Sequence, residues 1–255
     1  MTSPSVLLII PCYNESKRIE LTYFDQIRDI TGVELLFVDD GSQDDTSEIL
    51  KEYSKSGRAQ FLALKRNIGK ARAIKNGIEH LQDLELAPDW VGFIDADQAF
   101  DVRTIREMIG VLPEVARNGI EAVYSSRVKL LGRNISRKSS RHYLSRVIST
   151  LFGFFWQTIP YDTQSGFKLY RNSKEFRFAV ANLDFKTRWF FDIETHISLC
   201  NAYGRNLNGW EYPVLSWQDK QGSKVTKREK LRISYEILTV LCKIWGSRQL
   251  LSRGR

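Results

Sequence analysis

The sequence predicts an α/β fold, in which a mostly parallel central sheet is flanked by helices and followed by C-terminal amphipathic helices. Short apolar runs recur along the first half, each ending abruptly at a polar cluster. Stretches with apolar residues at helical spacing separate them. Strands that alternate with helices in this way are joined by right-handed crossovers, which makes neighbouring strands parallel.

Val6-Leu7-Leu8-Ile9-Ile10, stopped by Pro11, is the first strand, because a run apolar on both faces belongs inside a sheet. A polar helical stretch follows over 18–30. Glu34-Leu35-Leu36-Phe37-Val38 is the second strand, ended by Asp39-Asp40-Gly41-Ser42. Ser42 is a candidate N-cap for the next helix, and Asp44 and Asp45 stand where the helix dipole favours acids. Ile49, Leu50 and Tyr53 give that helix its inward face. Residues 61–64 form a third strand. Ala71, Ile74, Ile78 and Leu81 mark the helix after it. Trp90-Val91-Gly92-Phe93-Ile94 is a fourth strand, ended by Asp95-Ala96-Asp97. A helix is expected over 102–116 and a fifth strand over 122–124.

The pattern changes after Ser126. Residues 127–146 hold seven basic side chains and no acid, and 147–160 are rich in Leu, Ile, Phe and Trp. From Lys224 the chain is again basic, with Leu, Ile, Tyr and Trp interleaved. Each stretch reads either as a helix packed on the sheet or as one lying in a membrane interface.

With 255 residues and 42% hydrophobic content, the chain can bury one large core. The net charge of +8 points to nucleic acid, an anionic membrane surface or a phosphorylated substrate. Cys12, Cys200 and Cys242 have no zinc-like spacing and form no even disulfide set, which suits a reducing compartment. The run at 6–10 is too short for a signal peptide, and no run of about 18 apolar residues predicts a membrane-spanning helix.

In open α/β sheets ligands bind beyond the carboxyl ends of strands. Three polar clusters fall at such ends: 11–15, 39–42 and 95–97. Asp95 and Asp97, one residue apart at a strand exit, can share a hard divalent cation, or can simply cap the next helix in a solvated turn. Asp39 and Asp40 repel each other, so a ribose or base edge could take up their hydrogen bonds; Gly41 and Ser42 equally suit an ordinary turn. His80, His142 and His196 are scattered, and His196 lies nearest another candidate, Glu194.

Taken in order, these clusters resemble the family-2 glycosyltransferases with the GT-A (Rossmann-like) fold. Pro11-Cys12-Tyr13-Asn14-Glu15 resembles that family's P-x-Y-N-E signature, and 38–46 its V-D-D-G-S-x-D-x-T. Asn67-Ile68-Gly69-Lys70-Ala71 is similar to its N-x-G-K-x segment, and Asp95-Ala96-Asp97 to its D-x-D. Further on, Ser125-Ser126-Arg127, residues 162–171, residues 188–194, and Trp217 with Gly222-Ser223-Lys224 resemble the polyprenyl-phosphate hexose synthases, the dolichyl-phosphate glucosyltransferases first and the mannose synthases next. Mannose synthases often place a Gln two residues beyond the D-x-D as a metal ligand. Here Ala99 stands there, and Gln98 is adjacent to Asp97.

The resemblance implies a GT-A catalytic domain over 1–224. Residues 1–126 would be its nucleotide-sugar half. Residues 127–224 would be its acceptor half, with a membrane-facing helix over 140–158, and 225–255 a basic amphipathic helix and tail. It implies that Pro11, Tyr13, Glu15, Asp40, Lys70, Asp95, Ala96 and Asp97 bind the nucleotide-sugar donor. Asp95 and Asp97 would hold Mg²⁺ or Mn²⁺, while Arg127, Gln164, Lys168 and Lys224 would bind the acceptor. Asp97, Asp192, Glu194 and Arg127 are the implied catalytic residues.

The implied reaction is inverting transfer of a hexose, from UDP-glucose first and GDP-mannose second, to a polyprenyl or dolichyl phosphate at an anionic membrane surface. A lipid phosphate is already anionic and needs positioning more than deprotonation. A hydroxyl acceptor in polysaccharide or glycolipid synthesis is the alternative; it would need Asp192 or Glu194 as base. Nucleic acid is not an expected partner. The expected location is cytoplasmic, peripheral on the cytoplasmic face of a membrane.

Overall fold

A computed structural model describes residues 3–84, 86–136, 139–156, 158–218 and 227–253. The first half alternates as expected. β1 (Val6–Cys12), α1 (Leu21–Arg28), β2 (Val33–Asp39), α2 (Thr46–Lys55), β3 (Gln60–Ala63) and α3 (Lys70–Glu79) follow one another. A 3₁₀ turn at His80–Gln82 leads to β4 (Trp90–Ile94), α4 (Val102–Gly110), α5 (Leu112–Arg117) and β5 (Ala122–Ser126). Then come β6 (Asn134–Ser136), α6 (Ser139–Phe155), β7 (Phe167–Arg171), α7 (Lys174–Ala181), α8 (Phe191–Tyr203), β8 (Gly209–Pro213), β9 (Ser216–Gln218) and α9 (Lys227–Arg253).

Seven strands form one sheet in the order β3-β2-β1-β4-β7-β5-β8. The pairs β1–β2, β1–β4, β2–β3 and β5–β8 are parallel, whereas β7 runs antiparallel between β4 and β5. The chain leaves β5, makes a long excursion through α6, and returns in the opposite sense to fill the gap beside β4. The second half therefore supplies two strands of the same sheet. β6 and β9 pair in a small separate ribbon, which an isolated bridge from Phe100 to Trp217 ties to the turn after β4.

Two apolar layers sandwich the sheet. Phe24, Ile27, Leu50, Ile105 and Met108 bring α1, α2 and α4 onto one face. Ile74, Phe152, Phe176, Ile197, Val240 and Ile244 bring α3, α6, α7, α8 and α9 onto the other. Among the described residues no helix is long and apolar enough to cross a membrane.

Three expectations change. The helix over 18–30 is only α1, because Arg18 and Ile19 donate back to the Glu15 carbonyl and form a turn first. Ser42 caps nothing: its hydroxyl donates to Asp39 at 2.5 Å, and α2 starts at Thr46, whose N–H donates to Asp44 Oδ1 at 3.1 Å. The helix over 102–116 breaks at Val111, since Pro113 has no N–H to continue the ladder and its ring crowds the carbonyl four residues back.

Candidate active site

The carboxyl ends of β1, β2 and β4 lie side by side, so the loops that leave them meet. The loop after β1 is zipped to the turn after β2. Asn14 N–H donates to Ser42 Oγ (3.0 Å), Gln43 N–H to Asn14 Oδ1 (2.9 Å), Glu15 N–H to Thr46 Oγ1 (2.7 Å) and the Ser16 hydroxyl to Asp44 (2.6 Å). Most of the polar side chains in these two loops thus serve to hold the loops together. Pro11 does not stop the first strand as expected: it sits half-buried within β1, which stays paired with β2 as far as Cys12. Tyr13 stands exposed, and the buried Glu15 carboxylate takes two hydrogen bonds from Arg18 at 2.5 and 2.6 Å.

Asp39 and Asp40 divide their work. Asp39 accepts from the N–H and hydroxyl of Ser42. Asp40 accepts the Ile68 and Gly69 N–H groups, both at 2.8 Å. Burial pushes the Asp40 carboxyl above its ordinary value, and those two donors offset part of the rise. Gly41 lies at φ 69° against Arg66 and Asn67, where an added Cβ would come within 2.5 Å of backbone. The loop 66–69 is therefore clasped to the β2 turn, which sets Lys70 at the start of α3.

Lys70 forms an ion pair with Asp95 and lies 5.6 Å from the ring centres of both Phe93 and Phe191. Burial lowers its ammonium pKa, but Asp95 and Asp192 outweigh that and hold it above the ordinary value. Asp95 N–H donates to the Gly166 carbonyl, and a Cβ at Gly166 would meet Asp95 Oδ2 at 2.2 Å. Only glycine leaves room for that carboxylate. Asp97 accepts from Ala99 N–H at 3.1 Å, and burial followed by the Asp95 charge raises its carboxyl. Ala96, between them, is buried. Neither acid caps the next helix: Asp101 does, accepting from Thr104 N–H at 2.6 Å. Gln98, at φ 57°, turns its amide to the Arg18 carbonyl.

Below this pair lies a second layer of charge. Lys168, on β7 opposite Phe93, is buried and donates to Asp192 at 2.7 Å and to the Ser165 carbonyl at 2.6 Å. Burial lowers the Lys168 ammonium and raises the Asp192 carboxyl, each opposed by the other's charge. Arg127 is buried in a two-pronged contact with Asp162 (2.7 and 2.8 Å), with its guanidinium 4.9 Å from the Trp217 ring centre. Asp95 and Asp192 also act on it. Gln164 donates to the Trp189 carbonyl at 3.3 Å.

Asp95, Asp97, Lys70, Asp192, Lys168 and Arg127 thus share one electrostatic neighbourhood. Glu194 is committed elsewhere: it accepts from Lys186 and Thr187 N–H, the Thr187 hydroxyl and the Lys243 ammonium. That set anchors α9. His196 is buried against the Tyr124 hydroxyl (3.0 Å), and burial pushes it down to about 4, so it is neutral. Lys224 lies outside the described residues. Asp162 and Gly166 lie in the 162–171 stretch that carries the resemblance, but neither was given a role. Asp162 is the first acid after Glu121 and follows a run of arginines, which marks it as a partner for one of them. The need for glycine at 166 is set by a residue 71 positions away.

The acid pair fits a hard divalent cation. Two carboxylates emerge together, and Asp97 lacks enough positive charge to restore its ordinary acidity. Among the described residues no group of three or more His, Cys, Asp or Glu forms a metal cage. Such a site suits Mg²⁺ or Mn²⁺ drawing its other ligands from phosphate and water.

Sheet order and strand-tip acids together define a GT-A glycosyltransferase. The chain belongs to Glycosyl transferase family 2, whose profile matches residues 7–176. It is similar to the dolichyl-phosphate beta-glucosyltransferase of Dictyostelium discoideum, 28% identical over 235 residues that cover 86% of this chain and 68% of that one. The enzyme of the same name from Saccharomyces cerevisiae is 28% identical over 239 residues, with the same coverage. Among solved structures, glucosyl-3-phosphoglycerate synthase from Mycobacterium tuberculosis, in complex with Mn²⁺, UDP-glucose and phosphoglyceric acid, shares the fold. Its TM-score is 0.64 at 19% identity, over 95% of this chain and 80% of that one.

Proposed function

We propose that this glycosyltransferase moves a hexose, glucose from UDP-glucose before mannose from GDP-mannose, onto a polyprenyl or dolichyl phosphate at a membrane surface, with inversion. The observation that carries the reading is the Asp95–Asp97 pair at the tip of β4, with Lys70 on one side and Arg127 within electrostatic reach. The similarity to two dolichyl-phosphate beta-glucosyltransferases supports the acceptor class.

Pro11, Tyr13, Glu15 and Asp40 frame the nucleoside, Asp40 by fixing the loop that carries Lys70. Asp95 and Asp97 hold Mg²⁺ or Mn²⁺, with Ala96 fixing their separation. The ion supplies charge neutralisation to the diphosphate leaving group as the glycosidic bond breaks. Lys70 adds a fixed cation beside it. Arg127 and Gln164, with Lys224, orient the acceptor phosphate. Lys168 acts through Asp192, which it holds in place beneath the site. Glu194 contributes by anchoring the 186–187 backbone, not as a base.

A lipid-phosphate oxygen attacks the anomeric carbon from the side opposite the diphosphate, which leaves with the bonding electron pair and inverts that centre; the attacking oxygen is already anionic, so no protein base is required. The test is transfer of radiolabelled sugar from UDP-glucose or GDP-mannose into a chloroform-soluble, mild-acid-labile product. Label appearing only in acid-stable glycoside would assign the hydroxyl-acceptor reaction instead.

A further inference from the structure

α6 and α9 each bury one apolar face and leave another outside. On α9, Glu236, Val240, Ile244 and Ser247 are buried, whereas Tyr235, Leu238, Cys242 and Trp245 are exposed. Steps of three, four and three residues set the exposed four in one row along the helix. On α6, Ile148 and Phe152 are buried, while Val147, Leu151 and Phe154 form an outer row by steps of four and three. Phe154 is 80% exposed, and Tyr235 and Trp245 are each 69% exposed. A helix apolar on both sides expects a cover on both.

The inner faces of the two helices join one core cluster, and the helices pack on each other, so both outer rows lie over the same side of the sheet. We infer that these rows form one docking surface for the interface of an anionic lipid bilayer. Charge chooses the occupant. Arg127 is buried against Asp162 and Lys243 is paired with Glu194; apart from these, residues 128–161 contain six Lys or Arg and no acid, and α9 carries six against two acids. Of those two, Glu236 is turned inward, accepting from Trp189 N–H and Arg232. A second copy of this chain would bring like charge against like. Anionic headgroups take up the cations while the rings enter below them.

The surface also adjoins the site. The Arg146 guanidinium lies 3.3 Å from the Tyr161 ring centre, and the Ser149 hydroxyl meets Thr163 at 3.5 Å. Tyr161 and Thr163 flank Asp162, which holds Arg127. Docking α6 therefore brings the bilayer up to the proposed acceptor cation. The inference rests on the lipid-phosphate reading of that site.

The chain carries its own probes. Trp245 is the one exposed tryptophan of six, and Cys242 the one exposed cysteine of three. Phosphatidylcholine–phosphatidylglycerol vesicles are expected to shift Trp245 emission to the blue and to slow alkylation of Cys242 at least tenfold. Pure phosphatidylcholine is expected to do neither. The double variant Phe154→Ser, Leu238→Ser should keep its melting temperature, since both side chains are exposed, yet lose the protection of Cys242. Alkylation at the same rate with and without anionic vesicles would overturn the surface. So would protection that grows with protein concentration in the absence of lipid, which marks self-association. A short-chain, water-soluble polyprenyl phosphate separates the two readings. Transfer to it without vesicle protection removes the surface and leaves the reaction. Protection without transfer to any lipid phosphate leaves the surface and removes the reaction.

Discussion

The Lys70 ammonium is paired with the Asp95 carboxylate between the rings of Phe93 and Phe191, although Lys70 opens α3 and Asp95 follows β4, 25 positions on. The clasp of Asp40 on Ile68 and Gly69 makes that meeting possible. Removing the cation with Lys70→Met leaves Asp95 and Asp97 repelling each other and takes a charge from the proposed diphosphate site. Loss of one charge-assisted contact predicts a fall in kcat/KM of about 10- to 100-fold. Steady-state kinetics against UDP-glucose checks it, with Lys70→Arg retaining more activity than Lys70→Met.

Gly166 gives a sharper test of the same geometry. Gly166→Ala places a methyl group where Asp95 Oδ2 now lies. Overpacking of this kind costs about 1–3 kcal/mol, so the fold should survive. Transferase activity should fall far more than urea stability does. Equal, small losses in both would show that Asp95 is free to move.

Arg127 and Asp162 form a buried pair, with side chains 9% and 3% exposed. Removing one member of such a pair strands a charge, and typically costs about 3–5 kcal/mol. Asp162→Ala should therefore lower the urea midpoint markedly. Replacing an exposed acid such as Glu52, which pairs with Lys55 at the surface, should leave it nearly unchanged.

His196 sets a pH dependence. Its folded value lies near 4, below the ordinary 6.5, because burial excludes the charged form. Above 6.5 it is neutral in both states and contributes no slope. As the pH falls from 6.5 toward 4, the unfolded chain takes up a proton that the folded chain refuses, and stability drops, by roughly 3 kcal/mol over that window. Urea midpoints across this range should decline less steeply in His196→Gln than in the parent chain.

The parts of the fold that read directly from sequence are those whose causes are local. β1, β2 and β4 are apolar on both faces because helices cover the sheet on both sides, and the acids at their tips follow from the same runs ending. β7 was illegible because its partners are remote: it pairs Lys168 with Phe93 and Tyr124, and a lysine facing the core contradicts any apolar pattern. Asp192, 24 residues on, and the Ser165 carbonyl together make that lysine tolerable. The Asp95-Ala96-Asp97 spelling left capping open, and Asp101 resolved it by taking the capping role. Glu194 looked like a site acid by position, but its partners, Thr187 and Lys243, come from a loop and from the final helix.

The proposed reaction requires Asp95 and Asp97 to bind a diphosphate through a divalent cation. Calorimetric titration of UDP with and without Mn²⁺, on the parent chain and on Asp97→Asn, tests it most directly. Mn²⁺ is expected to tighten UDP binding to the parent at least tenfold and to leave the variant's weak binding unchanged. Equal tightening in both proteins, or none in the parent, would contradict it.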